Sequence, residues 1–514
     1  MSNKTAFYIT TSIPYANGVP HIGHAYEMMT TDALARFKAL DGFDVLYVTG
    51  ADEHGQKMLQ TAEKAGISVQ ELAAANSKAF EDLSIALNCS NNDFVRTTEP
   101  RHKAVAAEVW RRMVAKGDIY LEKYSGWYSV RDEAYYDEKE LTKQENGSFI
   151  APTGTPVEWM EEDSYFFKLS AYEDNLLALY ENHPEFVGPD SRRNEVVNFV
   201  KGGLRDLSVS RTAFDWGVNV PDVDGHVMYV WVDALTNYLT GAGFLTDDEK
   251  FAKYWPCDLH IIGKDILRFH AIYWPAFLMS ADIEVPKRVF GHGFINNDGE
   301  KMSKSVGNVV DPHQLMQEYG VDQVRYFLMR EVPYGRDGSF SHTGLVNRTN
   351  ADLANDLGNL ASRSLSMIAK NCDGKLPAIE NLNDADNALI ALAENAIEKA
   401  RKAMQTQQIH LAIAAVWEVV GETNKYFAGQ EPWALKKTNP ERMGVVLALT
   451  AEIIRQVAIM AQPYIPLGAA KFLDMLGVAV DKRDFAHLSK PNWLQKGLEI
   501  NKPSPIYPRY VSDK

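Results

Sequence analysis

Cysteine is scarce in this chain: Cys89, Cys257 and Cys372 are all that 514 residues contain, and no two lie close enough in sequence to form a metal knuckle or a redox pair. The default that follows is a reduced, cytoplasmic setting. Long apolar runs are also missing. No uninterrupted stretch approaches the roughly 18 apolar residues of a membrane span, and the opening Met-Ser-Asn-Lys-Thr begins no apolar leader. A soluble, unexported protein with no membrane partner is expected. Positive charge is in the minority, with 53 Lys and Arg against 68 Asp and Glu and a formal net charge of −15. That balance disfavours nonspecific adhesion to nucleic acid, since each phosphate contact normally needs a Lys or Arg; a nucleic-acid partner would require a local basic surface. Internal repeats and low-complexity tracts are lacking as well.

What is present is the composition of a globular protein. Hydrophobic residues make up 46% and charged residues 24%, against norms of about 45–50% and about 25%. The length exceeds the roughly 250–300 residues at which one core stops growing, so several domains are expected. AFYITTS, Ala6 to Ser12, reads as a buried strand, and Pro14, Asn17, Gly18 and Pro20 force a loop after it. Ala25 to Leu40 carries apolar residues at helical spacing with no internal Gly or Pro, and VLYVT, Val45 to Thr49, is a second strand ending at Gly50. Strand, helix, strand in this order is a right-handed parallel crossover, the opening of a nucleotide-binding fold. Gly66 should stop a short helix, and Ser68 with Glu71 forms a capping-box pattern for the next, to about Leu87.

Residues of about 116 to 228 break the rhythm with aromatics, turn residues and short strands, as an inserted mixed domain would. The doubly wound pattern resumes at YVWVDAL, Tyr229 to Leu235. A further strand, LHIIG from Leu259 to Gly263, precedes a helical stretch near Ile266 to Met279. From about Thr349 the pattern is long helices, including Asn387 to Gln405, Ile409 to Ala428 and Val445 to Ala461. The tail after Pro491, with Pro503, Pro505 and Pro508, reads as extended or packed back.

Two short runs carry chemistry. In PYANGVPHIGH, His21, Gly23 and His24 fall at the expected helix start. Imidazoles one turn apart beside free backbone N–H groups can hold a phosphoryl group, and Gly23 leaves room for a nucleotide. A chance His-x-Gly-His is expected at about 0.02 per chain of this composition; taken alone, a polar helix cap is the alternative. Far downstream, GEKMSKS places Lys301, Met302, Ser303, Lys304 and Ser305 after the turn Asn296, Asn297, Asp298, Gly299. A loop with two ammonium groups suits closure over a triphosphate as pyrophosphate leaves. Taken alone it reads as a solvated basic turn; its meaning changes when it follows a split nucleotide fold that begins with HIGH.

With both runs in view, the sequence resembles the class I aminoacyl-tRNA synthetases, whose paired signatures are HIGH (His21 to His24) and KMSKS (Lys301 to Ser305). More narrowly it is similar to the methionyl-tRNA synthetases, through PYANGVPHIGH, TGADEHG (Thr49 to Gly55), YVWVDAL, IIGKDILRFH (Ile261 to His270), NLASR (Asn359 to Arg363) and EPW (Glu431 to Trp433), over nearly the whole chain. The resemblance implies an α/β fold of the class I Rossmann type, split by an α+β connective insertion and followed by an all-α anticodon-binding bundle. Boundaries are expected at 1–115 and 229–295 for the two catalytic halves and 116–228 for the insertion. A stem-contact region with the KMSKS loop is expected at 296–348, the helical domain at 349–490 and a C-terminal extension at 491–514.

It also implies that ATP, accompanied by Mg²⁺, activates L-methionine as an adenylate for transfer to the 3′-terminal adenosine of tRNA(Met). His21, His24 and Lys304 would share charge stabilisation at the α-phosphate. By the same resemblance Lys301 lies on the phosphates and Arg211, in SVSRTAFDWG, near pyrophosphate. Gly263, Lys264 and Asp265 belong at the adenosine and Glu27 near its ribose; a helix cap stays open as the alternative for Asp265. Methionine needs an anion for its ammonium, which Asp52 supplies, and a soft apolar slot for sulfur. Ile13, Tyr15, Trp231, Ala234, Leu235, Tyr238, Phe269 and His270 are placed there, with ordinary core packing the alternative for any single aromatic. Tyr238 or His270 is a candidate for rejecting isosteres. Asn359 and Arg363, four apart, share a helix face and with Trp433 would read the CAU anticodon, Trp433 by stacking. Without the resemblance Trp433 reads as a core residue.

One departure stands out. Where many methionyl enzymes carry Cys-x-x-Cys zinc knuckles in the insertion, GWYSVRDEAYY offers Ser129 and Asp132, and Thr153 to Pro156 offers neither Cys nor His. A zinc-free insertion held by aromatics such as Trp127, Tyr128, Tyr135 and Tyr136 is expected. No tRNA-binding or dimerisation domain is appended, so a monomer is expected. Rivals fit less well. Isoleucine, valine and leucine enzymes carry a much larger editing insertion, and a cysteine enzyme would want zinc. A small-molecule adenylyltransferase needs no helical domain, and a silent tRNA binder needs no intact His21, His24, Lys301 and Lys304.

Overall fold

The computed structural model describes residues 4–132, 134–144, 146–300, 302 and 308–511. Ala6–Thr10 (β1) leads through a loop into a long helix, Ile22–Leu40 (α1), and the chain returns as Asp44–Ala51 (β2), paired parallel to β1. The helix starts earlier than the apolar spacing suggests because His21, ahead of that spacing, caps it. Gly66, at φ 67°, ends the next helix in the left-handed region where a Cβ is penalised. The Ser68–Glu71 capping box forms as expected, Ser68 Oγ accepting from the Glu71 N–H at 3.2 Å and Glu71 from the Ser68 N–H at 2.9 Å.

Asp93–Arg96 (β3) adds to β2. The chain then departs into two long antiparallel strands, Ile119–Ser129 (β4) and Pro156–Phe167 (β5), in register from Ile119 opposite Phe167 to Tyr128 opposite Glu158. Val187–Gly188 (β6), from within the stretch 116–228, joins the parallel sheet, which Leu259–Gly263 (β7) and Val289–His292 (β8) complete in the order β3-β2-β1-β7-β8-β6.

Two expected elements differ. Tyr229 to Leu235, where the sheet seemed to resume, is helical from Val230 to Leu235. The reason is visible in the spacing: Trp231, Ala234, Leu235 and Tyr238 recur at i, i+3, i+4 and i+7, one face of a helix, whereas a strand would send alternate residues to opposite sides. The stretch Ile266 to Met279 is not one regular helix. It runs as a tight turn at Lys264–Ile266, a wide π turn at Phe269–Tyr273 and an α-helix at Trp274–Ser280, and π turns of this kind recur at functional sites.

The C-terminal third is helical: Asn359–Asn371 (α2), Asp384–Gln405 (α3), Ile409–Gln430 (α4), Pro432–Thr438 (α5) and Pro440–Ala461 (α6). By length and composition α6 could cross a membrane, with mean hydropathy 1.7, but its apolar window is entirely buried in the bundle. It is apolar all round because neighbours surround it, and its two buried charges, Glu452 and Arg455, satisfy each other at 2.7 Å. The tail packs back: Trp493, Leu494 and Tyr507 are buried, and the Tyr507 hydroxyl donates to Asp322 at 2.9 Å. The two bodies are tied by Arg325, fully buried, whose Nη2 reaches Asp32 of α1 at 2.7 Å and the Pro463 carbonyl beyond α6 at 2.9 Å. Its Nη1 reaches the Leu87 carbonyl at 3.1 Å.

Candidate active site

β1 and β7 are neighbours, and strand order reverses between them, so the crevice beyond their carboxyl ends is where an open parallel sheet binds ligands. The chain leaves β1 through Ser12, Ile13 and Tyr15 toward His21, and leaves β7 through Lys264 and Asp265. Tyr15 is drawn against Asp52, which follows β2: the Asp52 N–H donates to the Pro14 carbonyl at 3.0 Å and the Ala16 N–H to the Asp52 carbonyl at 2.8 Å.

His21 and His24 cap α1 reciprocally. His21 Nδ1 accepts from the Gly23 N–H and His24 Nδ1 from the His21 N–H, both at 3.1 Å, with ring centroids 3.9 Å apart. Capping and phosphate binding are therefore not alternatives here. An Nδ1 that accepts leaves the proton of the neutral ring on Nε2, so the cap fixes the tautomer that presents an N–H donor. Gly23 is needed for this turn itself, because a Cβ there would lie 2.8 Å from His21 Cε1.

Lys301 and Lys304, with Ser303 and Ser305, lie outside the described residues. The flanks are described. Asp298 and Gly299 form the expected turn, with φ of 47° and 85°, closed by Asn297 and Glu300 bonding each other at 2.9 Å. Asn297 Nδ2 donates to the Asn308 carbonyl at 3.0 Å, pinching the base of the loop. Two residues on, the Val310 carbonyl accepts the N–H of Ile22, the first residue of α1, at 3.1 Å.

Glu27, one turn into α1, is held from both sides: Oε1 accepts the Ser12 N–H at 2.7 Å and hydroxyl at 2.6 Å, and Oε2 lies 2.8 Å from His292 Nε2. Gly263 ends β7 where a Cβ would meet Asp265 Oδ1 at 2.7 Å. Asp265 is exposed within the turn Lys264–Ile266, ahead of the wide turn that begins at Phe269. Lys264 is turned to Asp337, at 2.7 Å. Arg211 is enclosed: its Nη1 donates to Ser208 Oγ at 2.9 Å and the Ser210 carbonyl at 2.7 Å, and its guanidinium lies 4.5 Å from the Tyr229 ring centroid and 5.3 Å from that of Tyr128.

Trp231, Tyr238, Phe269 and His270 come together, while Tyr15 packs against Met58, Ala62, Leu72 and Ala73. Trp231 stacks on Phe269 with centroids 3.8 Å apart and planes 6° from parallel, and His270 meets the Trp231 edge. Ala234, Leu235, Tyr238 and His270 are buried, Ile13 and Tyr15 partly so. Burial drives the His270 pKa down to about 4, so the ring is neutral near pH 7. Its Nδ1 faces the Ile266 carbonyl at 2.9 Å and must carry the proton; Nε2 therefore accepts the Tyr238 hydroxyl at 2.7 Å. That direction commits the Tyr238 hydrogen and leaves its oxygen an acceptor.

Sequence reasoning missed the support beneath these groups. Asp233, fully buried, receives His54 Nδ1 and His102 Nε2, each at 2.6 Å. Burial alone would raise its carboxyl; the two imidazoles outweigh that and hold it well below the usual range. The His54 N–H also reaches Asp52 Oδ1 at 3.3 Å. The signal was present: Asp233 is the one charge in the apolar run YVWVDAL, and a charge in such a run needs partners. His292 was missed too.

At the helical end, Asn359 and Arg363 lie exposed on α2. The Arg363 guanidinium is 5.2 Å from the Phe427 ring centroid and 5.7 Å from that of Trp433, at the start of α5. Trp433 is 46% exposed, so its reading as a core residue does not hold. In the insertion, Asp132 Oδ2 accepts hydroxyls from Ser129 at 3.1 Å, Tyr136 at 3.0 Å, Thr153 and Thr155. Trp127 packs on Phe149 and Trp159, with centroids at 4.6 and 5.3 Å, and Tyr128 is buried. The Tyr135 side chain lies outside the described residues.

Residues 7–365 match the family of tRNA synthetases class I (M), and residues 376–514 match the anticodon binding domain of methionyl tRNA ligase. A methionine–tRNA ligase of Rhizobium meliloti (strain 1021) is 60% identical over 513 residues, covering 100% of this chain and 99% of the relative. The chain belongs to the methionyl-tRNA synthetases. Mycobacterium tuberculosis methionyl-tRNA synthetase in complex with methionyl-adenylate has a TM-score of 0.96 at 55% identity, covering 98% of this chain and 100% of that one. The apo form of the mycobacterial enzyme has a TM-score of 0.90 at 51% identity, covering 99% of each chain. The class I methionyl-tRNA synthetase plan expected from HIGH and KMSKS, an α/β catalytic fold followed by a helical anticodon-binding region, is the one this chain has.

Proposed function

We propose that the chain forms methionyl-adenylate from L-methionine and ATP with release of pyrophosphate, then passes methionine to the 3′-terminal adenosine of tRNA(Met), for initiation and elongation alike. Family membership makes it a methionine–tRNA ligase; the roles of individual residues are our reading. The observation that carries that reading is the bond from the Ile22 N–H to the Val310 carbonyl, which sets the flank of the KMSKS loop beside the helix start that His21 and His24 cap.

The methionine carboxylate attacks the α-phosphorus in line, and negative charge gathers on the phosphoryl oxygens. His21 and His24, as Nε2–H donors, and Lys304 stabilise it, each donor of this kind contributing about 3 kcal/mol. Lys301 holds the phosphates and Arg211 the departing pyrophosphate; support for these two, and for Lys304, rests on the resemblance. Gly23, Gly263, Lys264, Asp265 and Glu27 take the nucleoside. Mg²⁺ enters with ATP on its phosphate oxygens, as part of the substrate. Asp52 takes the methionine ammonium, with Ile13, Tyr15, Trp231, Ala234, Leu235, Tyr238, Phe269 and His270 around the thioether. Thioether sulfur offers no hydrogen to the Tyr238 oxygen, so that contact is apolar and polarisable.

Asn359, Arg363 and Trp433 read the CAU anticodon, the exposed indole as the stacking platform. The insertion holds without zinc: hydroxyls converging on Asp132 give neither the thiolates nor the imidazoles that a zinc tetrahedron uses. We place the enzyme in the cytoplasm as a monomer, with the segments bounded as in the sequence reading except that Val187–Gly188, a strand of the parallel sheet, belongs to the catalytic body and not to the insertion. Pyrophosphate exchange across the amino acids tests the substrate. Exchange with methionine alone is expected; comparable exchange with another amino acid overturns the reading.

A further inference from the structure

His292 ends β8, is 5% exposed, and sits where three segments of the nucleotide crevice meet. Its Nε2 lies 2.8 Å from Glu27 Oε2 and its Nδ1 2.8 Å from the Gly293 carbonyl. A carbonyl oxygen only accepts, and so does a carboxylate, so a neutral imidazole would leave one ring nitrogen facing an acceptor without a proton. The pair therefore holds one proton more than a neutral ring beside a carboxylate would. Glu27 Oε1 already receives two hydrogen bonds from Ser12, so the extra proton lies in the contact between Oε2 and Nε2, where an imidazole nitrogen is ordinarily the more basic partner.

We propose that His292 is a buried imidazolium and a positioning residue for the nucleotide, pinning the Glu27 carboxylate and, through it, the Ser12 loop under the His21 to His24 turn. The proposal deepens the function assigned above and rests on it. Ser12 opens the loop toward Ile13, Tyr15 and His21, Glu27 belongs to α1, and His292 runs within three residues into the strand Ile295–Asn297 that leads to the KMSKS loop. One proton so ties together the segments that must converge on a single triphosphate. The neighbours agree. Tyr26 meets the ring edge-on at 5.6 Å and Tyr334 stacks on it at 6.2 Å, and burial raises both phenols, which stay uncharged. Burial works against the imidazolium, but the hydrogen bond and charge of Glu27, the Gly293 carbonyl and the charge of Asp265 outweigh it and raise its pKa.

The sign follows. A folded pKa above the ordinary value of about 6.5 means that the contribution is complete below that value and is lost as pH rises through the raised one. Beyond it Glu27 faces a bare ring lone pair and its grip on Ser12 loosens.

The test uses the full-length enzyme in pyrophosphate exchange between pH 6 and 9, with ring ¹⁵N shifts of labelled histidine read in parallel. Wild type should lose kcat/KM for ATP on the alkaline side, and its His292 ring should carry protons on both nitrogens at pH 7. H292Q keeps a donor toward Glu27 but no charge. It should raise the KM for ATP about tenfold, since a charge-assisted bond is roughly twice as strong as a neutral one, shift the KM for methionine less than twofold, and lose the alkaline fall. A neutral His292 ring at pH 7, or an unchanged alkaline fall in H292Q, overturns the proposal, and the ring shifts decide it even if the variant does not fold. Full exchange activity in H21A would instead sink the nucleotide site itself and leave the His292 protonation result standing.

Discussion

The two ends of the molecule hold their working groups in opposite ways. At the sheet end, Glu27, Asp52, Asp233 and His270 are each less than a tenth exposed, and each is fixed by a second group. At the helical end, Asn359, Arg363 and Trp433 stand in solvent, arranged by the Arg363 guanidinium against the Phe427 and Trp433 rings and by the helices beneath them. Under the proposed function the difference follows from what each end must meet. Charge developing on a phosphoryl group is stabilised best by dipoles already oriented and out of water, which requires buried groups locked by neighbours. A base splayed from a polynucleotide brings its own π face and needs a rigid ring presented to it.

Disturbing the buried end should therefore cost folding energy as well as activity, and disturbing the exposed end should cost affinity alone. The largest effect is expected from Asp233→Asn, which sets two imidazole donors against one amide oxygen: about 3–5 kcal/mol of stability in denaturant unfolding, since bonds to a buried charge contribute roughly 1.5–3 kcal/mol each, with a raised KM for methionine. An unchanged midpoint would show that the His54 and His102 grip is incidental. Next is His24→Ala, for which exchange should fall about a hundredfold, near 3 kcal/mol of barrier, while loss of the cap costs about 1 kcal/mol of stability. Trp433→Ala should weaken tRNA binding by about 1–3 kcal/mol and leave exchange untouched; equal losses in both assays would erase the contrast between the ends. The smallest is Thr155→Val in the insertion, about 1 kcal/mol, with wild-type melting indifferent to chelator. Stoichiometric zinc in the purified enzyme would refute that last expectation.

Much of the fold was legible because it rests on local pattern. β1, α1, the Ser68 capping box and the long helices of the bundle each announce themselves through periodicity or a cap. YVWVDAL misled because its β-branched residues speak for strand while its spacing, with Tyr238, speaks for helix, and a run this short lets propensity mask period. In the candidate site, the proposed groups came from signature runs, yet Asp233 and His54 inside such runs went unnoticed, as did His102, His292 and the pairing of Asp132 with Thr155. Each depends on a partner far away in the chain, and composition carries no trace of that distance. Trp433 shows the converse: an indole beside Pro432 looks like core until the structure leaves 46% of it in solvent.

Arg325 gives the comparison a mechanical meaning. Its three partners, Asp32, Leu87 and Pro463, belong to the capped helix, to the end of its neighbour and to the bundle, so a swing of one body against the other would strand a guanidinium in a dry interior. The separation between Trp433 and the His21 to His24 turn is thus held through a buried charge, and under the function proposed above a polynucleotide reaching both would meet them at a set distance.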